Sequence, residues 1–194
     1  ADDITLDDSV ESEGDMYLYA DFDKDNEQFV EDNTGDMHAL SYLKTNSSNI
    51  TVYGQNIQID GYVDSSGDIK MGAADNITLG DNVSEDSVMA DGDIWLLADL
   101  DASGLDPLDP QPDSSDYAED NYGDVYAEST ITTTSSDIYV YGQNVEVEGY
   151  VDSTGMIVIG AADNITLDDR VESDDAMYLY ADLDVPNEKF VEDN

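Results

Sequence analysis

Apolar and polar residues alternate with a period of two, in runs too short for helices. From Asp137 to Gly155, apolar or small residues fall at Ile138, Val140 and Gly142, then Val145 and Val147, then Gly149 and Val151. Polar kinks at Gln143–Asn144 and Asp152–Gly155 separate the runs. Alternation bounded by Asn, Asp, Ser and Gly predicts short half-buried strands. Three strands in about 19 residues, followed by the same again, describe one coil of a β-solenoid. Coils recur at Asn49–Gly67 (Ile50, Val52, Gly54, Ile57, Ile59, Val63), from Asp68 (Ile69, Met71, Ala73, Ile77, Leu79, Val83) and from Met156 (Ile157, Ile159, Ala161, Ile165, Leu167, Val171). Partial coils start at Asp15, Asp93 and Ala176. Stacked at the strand spacing of about 4.8 Å, seven or eight coils predict an all-β rod roughly 35–40 Å long.

The period is also visible at long range. Residues 53–79 return almost verbatim at 141–167, and residues 1–33 return at 162–194. The phrase A-D-[DN]-I-T-L opens at Ala1, Ala74 and Ala162. The chain therefore reads as a single solenoid of units 1–73, 74–161 and a partial 162–194. Such repeats bury their apolar faces only against their neighbours. The partial third unit raises the expectation of a window on a longer array, or of a subunit whose ends stack on further copies. Two insertions, about 24–35 and 102–123, follow the phrase Ala-Asp-[FL]-Asp at the same point of the coil; the second holds three of the four prolines. Both are expected on one side of the rod, where solenoids commonly carry function.

Charge narrows the possible partners. Forty-eight acidic residues oppose five basic ones, for a net charge of −43. Nucleic-acid binding needs a basic footprint, and anionic membranes repel such a surface. No stretch approaches the roughly 18 apolar residues of a membrane helix. Such acidity often marks disorder, but the regular Ile/Val/Leu/Tyr pattern argues for a fold. The charge then has to be managed by salt or by bound cations. The absence of cysteine excludes disulfides and thiolate metal sites.

Four groups of residues are candidate sites. Asp21, Asp23 and Asp25, with Asp32 at the twelfth position, have the spacing of a calcium loop, as do Asp99, Asp101 and Ser103. Converging hard carboxylates suit Ca²⁺; solvated acidic turns are the simpler alternative. If Ile138 and Val140 point inward, Tyr139 and Tyr141 point outward. The equivalent positions Tyr17, Tyr19, Tyr53, Trp95, Tyr178 and Tyr180 extend an aromatic stripe. It suits intrachain cover or ring laddering, packing between copies, or glycan binding. Asn46, Asn49, Asn76, Asn82 and Asn164 fit the glycosylation sequon N-x-[ST], a pattern that Asn/Thr-rich turns also generate. Catalysis has the least support: His38 stands alone as an outward strand position, and no nucleophile–base pair stands out among near-identical units. The chain is therefore not expected to be an enzyme.

The coil pattern G-D-I-x-[VLM]-x-[AG]-x-x-[VI]-x-[VL]-x-G-x-V, clearest at Asp137–Gly155, Asn49–Gly67 and Met156–Asp174, resembles the haemagglutination-activity repeats of filamentous haemagglutinin-like adhesins. That resemblance implies a right-handed parallel β-helix in a secreted surface protein. The expected role is a structural segment of an extracellular or cell-surface filament, or of a fibrous adhesin, whose partners are copies of itself. A carbohydrate- or cation-binding adhesin module is the alternative, and a polysaccharide-degrading β-helix enzyme a distant third. The family's secretion domain, with its Asn-rich motif, is not visible in the sequence.

Overall fold

The computed structural model describes residues 3–20, 22–23, 28–29, 35–80, 87–98 and 123–181. Its described residues are all-β, in short parallel strands that return to the same three rows. The first circuit is β1 (Ile4–Leu6), β2 (Val10–Ser12) and β3 (Met16–Tyr19). A two-residue antiparallel pair, β4 (Phe22–Asp23) and β5 (Gln28–Phe29), stands apart from the rows. Next come β6 (Met37–Ala39), β7 (Leu43–Thr45) and β8 (Ile50–Gly54), then β9 (Ile57–Ile59), β10 (Val63–Ser65) and β11 (Ile69–Ala73). They are followed by β12 (Ile77–Leu79), β13 (Ser87–Ala90), β14 (Ile94–Leu97), β15 (Val125–Ala127) and β16 (Thr130–Thr133). The last strands are β17 (Ile138–Val147), β18 (Val151–Ser153), β19 (Ile157–Leu167), β20 (Val171–Ser173) and β21 (Met177–Tyr180).

One row forms a seven-stranded sheet, β2-β7-β10-β13-β16-β18-β20. The other two rows belong to one 12-stranded sheet, because β17 and β19 run through the corner between them. The β17–β19 pairing absorbs that corner as an irregularity between Gly142 and Asn144. Equivalent residues are 19 or 20 apart where nothing is inserted. The step grows to 33 between Asp3 and Asp36 and to 48 between Asn76 and Asp124. The first extra length falls at the corner that β17 and β19 cross without a break; part of the second falls instead between β12 and β13, where the step from Asp68 to Asp93 is 25, and the rest at that same corner. Most of the two expected insertions lies outside the described residues.

Register places like over like. One inward column runs Ile50–Ile69–Ile94–Ile138–Ile157, and a second Ile57–Ile77–Val125–Val145. In the seven-stranded sheet the column is Val10–Leu43–Val63–Val88–Ile131–Val151–Val171. The interior members of these columns are fully buried in one continuous core. This is the period-two pattern made physical: alternate side chains of a strand share a face.

The corners are held by side chains as well as by backbone. Asp3, Asp36, Asn56, Asn76 and Asp124 each accept the backbone N–H one circuit later through Oδ1, at 3.0–3.2 Å. The ladder continues as Asn164 Nδ2 donates to Asn144 Oδ1 at 2.9 Å. A second ladder climbs another corner through Asp15, Asn49, Asp68, Asp93 and Asp137. Turn N–H groups with no strand partner are satisfied this way, as buried backbone requires. Inward hydroxyls do the same beside the core: those of Thr45 and Ser65 lie 3.1 Å apart, and each lies within hydrogen-bond distance of the Ser48 carbonyl. Thr133, Ser153 and Ser136 repeat the arrangement.

Candidate functional site

The calcium-loop residues Asp21, Asp25, Asp32, Asp99, Asp101 and Ser103 lie outside the described residues. Asp23 is placed by its backbone alone, in β4, where it pairs with Gln28 of β5. Among the described residues, a different acidic group comes together. Carboxylate oxygens of Glu146, Glu148 and Asp168 lie within 4.8 Å of one another, all three residues exposed. Parallel register creates the group, since β17 and β19 stack Val147 under Leu167 and carry Glu148 and Asp168 just beyond. Glu128 precedes Glu148 in the same column, and Tyr126 donates to both, at 2.7 and 3.1 Å. Those bonds, that to Glu128 first, push the Tyr126 phenol well above its ordinary range.

The aromatic stripe lies along one row in two columns. The first is Tyr17–Thr51–Lys70–Trp95–Tyr139–Val158–Tyr178. The second is Tyr19–Tyr53–Gly72–Leu97–Tyr141–Gly160–Tyr180. Trp95 stacks on Tyr139 with ring centres 4.0 Å apart, and Tyr19 lies 5.8 Å from Tyr53. These positions leave the core, yet the middle of the stripe is not open surface. Tyr53 and Leu97 are buried, Trp95 and Tyr141 half-buried, and they form a second apolar cluster with Tyr19. Only the ends are open, with Tyr17 47 % and Tyr178 43 % exposed. Burial raises the Tyr19, Tyr139 and Tyr141 phenols above their ordinary range. At Tyr139 a hydrogen bond to Asp137 at 2.9 Å adds to the effect.

A further aromatic arrangement was not evident from the strand pattern. Tyr42 stacks on Tyr62 at 4.7 Å with rings nearly parallel, and Arg170 sits 4.9 Å over the Tyr150 ring. The repeated Gly-Tyr-Val at 61–63 and 149–151 was the available signal. Lys44 lies between Glu11 and Asp64 in register and reaches Asp64 at 2.5 Å. The Asp64 hydrogen bond raises the Lys44 ammonium above its ordinary range. His38 points outward as expected, with Nε2 3.0 Å from Asp60.

Of the sequons, Asn82 lies outside the described residues. Asn46 is exposed and donates to Glu13 at 3.2 Å. Asn49, Asn76 and Asn164 are rungs of the corner ladders, with Asn76 and Asn164 exposed. Set against family models, curated proteins and solved structures, the chain matches none of them.

Proposed function

We propose that this chain is a structural segment of an extracellular surface filament or fibrous adhesin, a right-handed parallel β-helix of seven coils that assembles by coil stacking. The observation that carries the reading is the in-register stacking itself: inward residues lie over their equivalents from circuit to circuit, as in Ile50–Ile69–Ile94–Ile138–Ile157, all fully buried. Each circuit buries its apolar face only against its neighbours, so the stack lengthens by adding circuits. Handedness follows the strong preference of parallel crossovers. The adhesin resemblance and the acidic surface support an extracellular setting. Electron microscopy together with light scattering tests the reading: end-to-end rods of uniform width are expected, and dispersed single particles at high concentration, in every salt and cation condition, would refute it.

A cation-binding module is the second reading, favoured by the carboxylates of Glu146, Glu148 and Asp168. Calcium titration followed by calorimetry separates the two, because a purely structural segment takes up no stoichiometric ion.

A further inference from the structure

A polar slot opens at the corner between the seven-stranded sheet and the row of β8, β11 and β14, in the interior of the described stack. Corner length accounts for it. Four residues separate β7 from β8 and β16 from β17, whereas three separate β10 from β11 and β13 from β14. The two long corners are each tied to the circuit before them, since Ser47 donates to the carbonyl of Glu13 and Ser135 to that of Asp91. Between them the two short corners leave a cavity of about 250 Å³.

Lys44, Asn46, Asp64, Ser66 and Asp91 form its polar walls, and Met89, 41 % exposed, its apolar one. Among the described residues these groups use only part of their bonding capacity. Lys44 gives one of three N–H donors to Asp64 at 2.5 Å, Asp91 Oδ1 accepts from Thr134 at 2.6 Å, and Asn46 Nδ2 donates to Glu13 at 3.2 Å. Donors on Lys44 and acceptors on Asn46, Asp64 and Asp91 therefore face one small space. Ser66 adds an independent sign: its hydroxyl oxygen is buried and has no hydrogen-bond partner. Buried polar groups are nearly always paired, so Ser66 marks a place for a partner that the chain itself does not supply.

We propose that this slot binds one neutral hexopyranose unit of a glycan. Charge selects the class. Lys44 brings one positive charge and Asp64 and Asp91 one negative charge each, which leaves the slot net negative within a chain of net charge −43. Anionic sugars are repelled by that field. A metal ion would stand beside the Lys44 ammonium, which already holds Asp64. A hydroxyl group donates and accepts at once, so vicinal hydroxyls satisfy Lys44 and the carboxylates together and bring no charge to be neutralised. The C–H face of the ring lies against Met89, whose unbranched thioether chain adapts to irregular shapes. The volume falls just below the roughly 300–1,000 Å³ of drug-sized sites, which suits a single ring. The slot is built by interior circuits and needs no assembly, so its failure and that of the stacking reading are separately visible.

Saturation-transfer difference NMR on the full chain tests the proposal, because it reads ligand binding to single particles and to filaments alike. The probes are the methyl hexopyranosides of gluco, galacto and manno configuration, with glucuronate and Ca²⁺ as charged competitors. At least one hexoside is expected to bind with a Kd in the millimolar range, about 0.1–10 mM. Asp91→Ala is expected to weaken it about tenfold or more, as loss of a hydrogen bond to a charged group does. Met89→Ala alters an exposed side chain that leaves the corner itself intact, and it too is expected to weaken binding. Tyr178→Ala, on the aromatic stripe, is expected to bind like the unaltered chain. Binding of none of the three hexosides would overturn the proposal. Displacement of the bound hexoside by equimolar glucuronate or Ca²⁺ would overturn its neutral character. Unchanged affinity in both Asp91→Ala and Met89→Ala, or loss of binding in Tyr178→Ala alone, would overturn its placement in the slot.

Discussion

At the scale of single residues, the fold tolerates little change where circuits touch. A Cβ on Gly149 would lie 2.1 Å from the carbonyl oxygen of Ser129, and one on Gly61 would lie 2.5 Å from that of Ser41. The obstacle is backbone of the neighbouring circuit, which cannot rotate away. Gly149→Ala is expected to destabilise by about 1–3 kcal/mol, the usual cost of overpacking, read as a lower midpoint in urea. Ile138 is fully buried in the middle of its column. Ile138→Ala should cost about 2–5 kcal/mol, because neighbours above and below hold the cavity open. The half-buried tyrosines add a pH dependence. Tyr19, Tyr139 and Tyr141 ionise above their ordinary value in the folded chain, chiefly through burial. A raised folded pKa contributes stability that is whole below the unfolded value, about 10, and is lost as pH rises beyond it, because the unfolded chain then releases protons first. Thermal melts should be insensitive to these groups near neutrality and fall progressively above pH of about 10.

At the scale of elements, the outward columns decide where strands tolerate charge. Glu11, Lys44 and Asp64 alternate in sign along β2, β7 and β10. Lys44→Glu places three carboxylates in a row, so a lower melting temperature is expected, with most of the loss recovered in concentrated salt; a salt-independent loss would show that packing of the lysine stem matters instead. The strands themselves were legible from alternation alone, because inward residues at Ile138, Val140, Val145 and Val147 repeat at Ile157, Ile159, Ile165 and Leu167. The acidic group Glu146–Glu148–Asp168 was not legible. Its members come from two strands, and only the β17–β19 register sets them side by side. The aromatic stripe was half legible. Outward direction followed from alternation, but burial of Tyr53 and Leu97 depends on what lies across the strands, which periodicity does not contain.

At the scale of the whole molecule, a chain of near-identical circuits behaves as a one-dimensional stack. Each circuit contacts the ones before and after it, so stability is approximately a sum over neighbours. Removal of residues 162–194 should leave the remaining circuits folded, with far-ultraviolet circular dichroism still all-β and a modestly lower midpoint. Collapse of the entire signal would show that the last circuit is a required cap.

The sequence by itself determined that the chain is all-β, that its strands are short and that most of them recur after about 19 residues; it did not show the longer step that sets Val88, rather than Val83, beside Val63. Each feature that it did determine is a local property, written in alternation, turn residues and repetition. Tertiary structure alone decided which side chains of different circuits stand one above another: the Asp/Asn ladders, the Lys44 pairing, the carboxylate group and the buried heart of the aromatic stripe. These depend on the step between circuits, and that step is set by how the backbone closes each turn on the core.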